Sequence, residues 1–205
     1  SEMCIRDSYK MFMIPAVMAM LLTLLIGFLP ALNIVGEKES GTIEQINVTP
    51  VGRFSFIFSK LIPYWLIGLF MLAWSVFLAW LIYGMLPAGS ILLLFLYATL
   101  FLLIVSSLGL IVSNYSSTMQ QAALLMFFFL VIFILMSGML TPVSAMPEWA
   151  QLITYVNPLR YFIEVLRALY LKGSGFADLQ MQFFAMLAYA AVSWTWAICS
   201  YKKSA

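Results

Sequence analysis

Charged positions fall into four groups along this chain, and long apolar stretches lie between them. Met11 to Gly36 and Leu61 to Met146 carry no charge, nor does Leu179 to Tyr201. Crossing about 30 Å of hydrocarbon takes roughly 20 apolar residues, so each stretch is long enough for at least one crossing. Breakers divide the longest of them. Gly84, Pro87, Gly89 and Ser90 end a segment that begins at Leu61, and Ser113, Asn114, Ser116, Ser117 and Thr118 end the next. Thr141 and Pro142 stop the one after that. The pattern predicts an all-α polytopic membrane bundle with five spans, at about 11–36, 61–83, 91–112, 119–140 and 179–201. Pro15 falls in the first turn of its span, whereas Pro30 is expected to kink or end the helix. Gly109 and Ser113, four apart, suit close helix approach in lipid.

Two segments break the apolar pattern. Glu37 to Lys60 holds six of the eighteen charged side chains. Thr42 and Gln45 fit a capping box, and Thr49 followed by Pro50 fits a second helix start. After it Phe54, Ile57, Phe58 and Leu61 recur at helical spacing, as in a helix lying at the membrane surface. A plain polar loop between spans is the alternative. The second segment contains Pro147, Glu148 and Trp149, then Asn157 and Pro158, then Arg160, Glu164 and Arg167 on one helical face. Phe162, Leu166 and Leu169 line the opposite face, and Lys172 with Gly173 supplies a stop. Two short helices at the outer interface, or dipping into it, are expected here.

Composition narrows the function. Of 205 residues, 64% are apolar and 9% charged, against about 25% charged in soluble domains. A net charge of +2 gives no footprint for nucleic acid, and histidine is absent. Cys4 and Cys199 lie at opposite ends, so neither a disulfide framework nor a metal site is indicated. No G-x-x-x-x-G-K-[ST] loop occurs to cradle ATP. SEMCIRDS, residues 1–8, reads as a non-native leader and is set apart from residues 9–205, the transmembrane domain. The methionine and aromatic content is read as lipid-facing and packing surface.

GEKESGTIEQINVTPVGRFSFIFSKLIPYW, from Gly36, resembles the segment after the second span in bacterial permeases of the type-2 ABC exporter family, some of which are drug-efflux permeases. PEWAQLITYVNPLRYFIEVLRALYLKG resembles the segment before their last span, and the spacing between the two matches. The likeness covers about residues 11–203 and corresponds to the C-terminal half of such a permease. It implies a coupling helix at Glu37, Glu39, Gly41, Thr42, Ile43, Glu44 and Ile46, with Thr49 and Pro50 opening the next helix. That helix would seat in a cleft of a separate ATPase. Ile43 and Ile46 would enter the cleft, Glu39 and Glu44 would meet basic groups, and Gly41 would permit close approach. ATP and magnesium then belong to the partner, and the chain itself carries no cofactor. A second permease copy, or a similar permease, and the lipid bilayer complete the implied partners. The resemblance also implies outer helices at 147–171, with Asn157, Pro158, Arg160, Glu164 and Arg167 as an outer gate.

Orientation by charge is close to a tie. Lys38, Arg53, Lys60, Lys202 and Lys203 share one side, while Arg6, Lys10, Arg160, Arg167 and Lys172 share the other. Setting Arg6 aside tips the balance toward a cytoplasmic Glu37–Lys60 loop, which agrees with the resemblance. The reading is a multi-pass permease of the bacterial cytoplasmic membrane. An ion-coupled transporter would be expected to carry ionisable groups inside its spans, and none lies well inside one here. An intramembrane enzyme lacks evident acid–base groups. A plain membrane anchor remains the last alternative.

Overall fold

The computed structural model describes residues 2–41, 53–138 and 146–200. Helix α1 (Glu2–Glu39) is followed by α2 (Arg53–Tyr83), α3 (Ile91–Tyr115) and α4 (Met119–Leu135). Two short helices come next, α5 (Glu148–Tyr155) and α6 (Pro158–Arg167), the latter continuing as a π-helical turn, Ala168–Lys172. A 3₁₀ turn (Phe176–Leu179) then leads into α7 (Gln180–Ser200). Among the described residues, four helices are long and apolar enough to cross a membrane: Phe12–Glu39, Ile57–Tyr83, Ile91–Tyr115 and Phe176–Ser200. The side carrying residues 37–60 is called inner below, and the opposite side outer.

Three boundaries differ from expectation. Pro30 does not end the first helix, which runs unbroken to Glu39. A lost backbone hydrogen bond is tolerated in a membrane helix when neighbours pack around it. Here the Pro30 ring lies against Gly109 of α3. Nor do residues 53–60 form a separate surface helix, because α2 continues from Arg53 through Pro63 to Tyr83. Its first apolar turns are needed inside: Ile57 and Leu61 are buried with Ile34, Leu110 and Ala197. Among the described residues of the fourth predicted span, 119–140, the helix covers Met119–Leu135. Met136 then donates to the Ile132 carbonyl, and Gly138 turns left-handed at φ 75°. Seventeen residues rise about 25 Å, somewhat short of the hydrocarbon thickness.

The other breakers fall where the pattern put them. Gly84, at φ 65°, follows the end of α2, and Gly173, at φ 61°, ends the π-helical turn. Thr118 caps α4 by accepting from the Gln121 N–H at 3.2 Å.

Helix α3 is the centre of the bundle. Tyr97, Phe101, Leu102 and Ile104 are fully or almost fully buried. Helix α7 is hydrogen-bonded along it at two levels. Trp194 Nε1 donates to the Leu103 carbonyl at 3.0 Å, and Asn114 Nδ2 to the Ala197 carbonyl at 3.1 Å. At the outer end Tyr97 Oη donates to the carbonyl of Leu179, just before α7, at 2.7 Å. Trp194 and Tyr97 each spend their one N–H or O–H donor on a backbone carbonyl, while Asn114 Nδ2 also donates to Ser200 Oγ at 2.8 Å.

Helix α1 reaches α3 through glycines. A Cβ on Gly109 would stand 2.9 Å from the Gly27 carbonyl oxygen, so the small residue at 109 sets the approach of the two helices. We expect Gly109→Val to destabilise the bundle by about 1–3 kcal/mol, since backbone cannot yield as a side chain does. The thermal unfolding midpoint in detergent should fall. An unchanged midpoint would show that the two helices separate without cost.

Candidate functional site

At the inner end, three consecutive charged residues of the last α1 turn reach three different helices. Glu37 forms an ion pair with Lys60 of α2. Lys38 Nζ donates to the Ser113 carbonyl in the last turn of α3. Glu39 Oε2 accepts the Met119 N–H of α4 at 3.1 Å. Charge and helix polarity agree in both of the latter, a cation at a helix C-terminus and an anion at a helix N-terminus. Residues 37–39 therefore hold the base of the loop against the turn joining α3 to α4. Gly41, at φ 72°, leaves this base in a conformation that favours glycine, with open space where a Cβ would lie. Thr42, Ile43, Glu44, Gln45, Ile46, Thr49 and Pro50 lie outside the described residues. So do the caps predicted for them.

Just beyond the loop, Phe58 stacks on Trp194 at 5.3 Å between ring centroids and meets Trp65 edge-on at 5.8 Å. Trp65 Nε1 donates to Ser106 Oγ at 3.0 Å. The start of α2 is thus fixed to α3 and α7.

The outer helices dip into the bundle. Phe162 stacks on Phe101 with ring centroids 4.2 Å apart, at a level about 15 Å below the outer end of α3. Asn157 Nδ2 donates to the Phe133 carbonyl at 2.7 Å, about 21 Å up α4 from its inner start. At the other end of the segment, Gly89 of the outer turn donates to the Leu169 carbonyl at 2.9 Å. Helix α6 therefore starts near mid-depth and climbs outward. Leu159, Phe162, Ile163, Val165 and Leu166 of this ten-residue helix are buried. Pro158 occupies its first turn and Asn157 Oδ1 caps it, accepting from the Leu159 N–H at 3.0 Å.

Its polar face is arranged differently from the three-membered row expected. Arg160 Nε donates to Glu164 Oε1 at 2.9 Å, and Arg160 Nη1 donates to Thr154 Oγ1 at 2.7 Å. The same guanidinium lies 4.6 Å from the Tyr155 ring centroid. Burial opposes the Arg160 charge, but the Glu164 hydrogen bond and charge outweigh it and raise its pKa. Arg167 does not join this pair. It turns toward α1 and lies 3.5 Å over the Phe12 ring, with Nε and Nη2 buried and unpartnered by any hydrogen bond. Burial pushes its pKa down, and the charge of Glu164 works the other way. Burial also pushes the Tyr170 hydroxyl up to about 12.

Sequence reasoning found the outer segment and its apolar face, but placed no charge deep in the bundle. Arg160 and Glu164 lie there because a helix between two spans re-enters. Lys38 and Asn114 were missed as functional candidates, since their partners lie 75 and 83 residues away and nothing local marks them. Tyr161 and Tyr189 both donate to the Tyr155 carbonyl, closing the end of α5. Among the described residues no cluster of His, Cys, Asp and Glu could hold a metal ion.

The long apolar helices, with short helices packed between the last two of them, define a polytopic helical membrane protein. A family model described as ABC-2 family transporter protein matches residues 5–199, so the chain belongs to that family. It is 28% identical over 180 residues to the probable multidrug ABC transporter permease YbhR of Escherichia coli, covering 85% of this chain and 49% of YbhR. The probable multidrug ABC transporter permease YbhS is 29% identical over 164 residues, covering 80% of this chain and 44% of the relative. The inner membrane transport permease YhhJ is 29% identical over 187 residues, covering 89% and 49%. The chain spans about half the length of these curated relatives.

Proposed function

We propose that this chain forms the pathway-bearing part of an ATP-driven exporter of the bacterial cytoplasmic membrane, working with a separate ATPase and a second permease copy or a similar permease. The observation that carries the reading is the base of the inner loop. Three charged residues anchor it to α2, α3 and α4, so force applied to the loop reaches three helices directly. A loop anchored in this way is fit to receive an ATPase, and the names of the relatives point to the same kind of assembly. The loop is then cytoplasmic, and the re-entrant helices face outward. ATP and magnesium reside on the partner. The largely uncharged spans favour an apolar or amphiphilic cargo, in keeping with relatives named as multidrug permeases.

The test is co-purification of the full-length permease with the ATPase encoded beside it, and ATP hydrolysis by the pair in lipid. We expect a stable complex whose hydrolysis rises with the permease present. Absence of any complex would overturn the reading. A second reading, ion-coupled transport, draws on the Arg160–Glu164 pair at mid-depth, because ionisable groups at that level are what coupling ions bind. Export in the same vesicles that collapses with the proton gradient, and not with removal of ATP, would favour it.

A further inference from the structure

Helix α4 is lightly held along its length. Only Ala122, Met126 and Leu130 are buried along it, a single stripe at i, i+4 and i+8, while Leu124, Phe127 and Phe128 are exposed. Its contact with α1 sets flexible thioethers against bare backbone. Met126 Cε would lie 2.7 Å from a Cβ on Gly27, and Met119 Sδ 3.3 Å from one on Gly36. Methionine is soft and unbranched, and glycine offers no side chain to interlock, so such a seam permits small sliding movements.

Both ends of the same helix, in contrast, are held by specific bonds from the two polar segments. At the inner end Glu39 accepts from Met119 N, one of the orphan donors at a helix start. At the outer end Asn157 donates to the carbonyl of Phe133, in the last turn. Asn157 is 2% exposed, and its oxygen also caps α6. One amide therefore joins the end of α4 to the start of the re-entrant helix. A loosely seated rod fastened at both ends is suited to carrying displacement along its axis.

We propose that α4 is a push rod between the inner loop and the re-entrant outer helices, with Glu39 and Asn157 as the positioning residues at its two ends. This rests on the reading that the inner loop receives an ATPase. The movement is a displacement of α4 against the body of α1, with Glu39 and the last turn of α1 moving with the base of the loop, and each ATPase state favours one position of the rod through its contacts with the loop.

The test uses full-length permease with its ATPase in nanodiscs, on a cysteine-free background. A fluorophore at Ser55→Cys reports the loop side and one at Leu152→Cys the outer helices, both exposed positions. In otherwise wild-type protein we expect both labels to respond to nucleotide. Glu39→Ala should keep the response at position 55 and reduce that at 152 at least five-fold, while Glu39→Gln, which keeps an acceptor for Met119 N, should retain it. Asn157→Ser keeps a helix cap but cannot reach Phe133, and should match Glu39→Ala, with no further loss in the double variant. Full outer response in both single variants would overturn the rod while leaving the loop reading intact. A wild-type protein silent at position 55 would instead overturn the loop reading, and the rod with it. Hydrogen exchange on the permease alone guards against misfolding: Glu39→Ala should speed exchange at residues 119–122 and at 157–160 and leave α3 protected. Exchange confined to 119–122 would also count against the rod.

Discussion

Ile43→Asp is expected to abolish coupling between this chain and the ATPase proposed for it, with insertion and folding of the membrane helices unchanged. A permease without a nucleotide site responds to ATP only through contact with a protein that has one, and only differential contacts shift such an equilibrium. Ile43 lies three residues beyond Ser40, in a loop whose base is bonded through Glu37, Lys38 and Glu39. Of the acids on the implied coupling helix, Glu37 and Glu39 already have bonds within the chain. The apolar Ile43 and Ile46, with Glu44, are then left as the groups suited to a partner surface. An apolar anchor in a cleft carries more affinity than rim charges, and burying a carboxylate there removes it. A loss of about 2 kcal/mol or more corresponds to roughly thirty-fold weaker binding. Co-purification of the subunits and substrate-stimulated ATPase activity check this. Wild-type values for both in the variant would sink the docking role.

Most of the helix boundaries could be read because lipid makes breakers and charges costly in the same places. Gly84, the Ser113–Thr118 run and Gly173 each mark the end of a helical segment, and each was visible as a local pattern. Pro30 misled for the same physical reason in reverse. In water a proline within a helix is a strong breaker, whereas among packed membrane helices it is accommodated, and Pro30 sits against Gly109. The amphipathic spacing of Ile57 and Leu61 was real, but a stripe of that kind does not say whether it faces headgroups or a neighbouring helix. Here it faces Ile34, Leu110 and Ala197.

The candidate site was legible as two segments and not as contacts. Asn157-Pro158 was legible as a break between two short helices, and it is one, but that Asn157 also caps the second was not read from the sequence. That the same asparagine would bond Phe133, 24 residues back, depends on re-entry of α6, which no local period encodes. Lys38 was read only as a charge of the loop, and Glu39 as an acid that would meet basic groups on a partner. Their roles at the ends of α3 and α4 arise from helix polarity, once the bundle has brought those ends to the last turn of α1.

Charge reversal at Glu164 should produce the second large effect, on export and much less on assembly. Glu164 holds Arg160 from one side while Thr154 and Tyr155 hold it from the other. The side chains are 16% exposed for Arg160 and 40% for Glu164, so solvent screens the pair only partly. Breaking a fully buried pair costs about 3–5 kcal/mol, and discounting for exposure leaves about 1–3. Glu164→Lys also sets three cations, at 160, 164 and 167, on one short helix that climbs outward from near mid-depth, with two of the Arg167 nitrogens already unpartnered by any hydrogen bond. The buried face formed by Leu159, Phe162, Ile163, Val165 and Leu166 is untouched, which is why the bundle should still assemble. If the pair holds the outer end of the pathway shut or open by its own charge, Arg160→Glu combined with Glu164→Arg should recover much of the lost export. If the segment is only a solvated face, Glu164→Lys should export normally. Transport into inverted vesicles of the full-length permease with its ATPase, measured at matched expression for the single and swapped variants, separates the two.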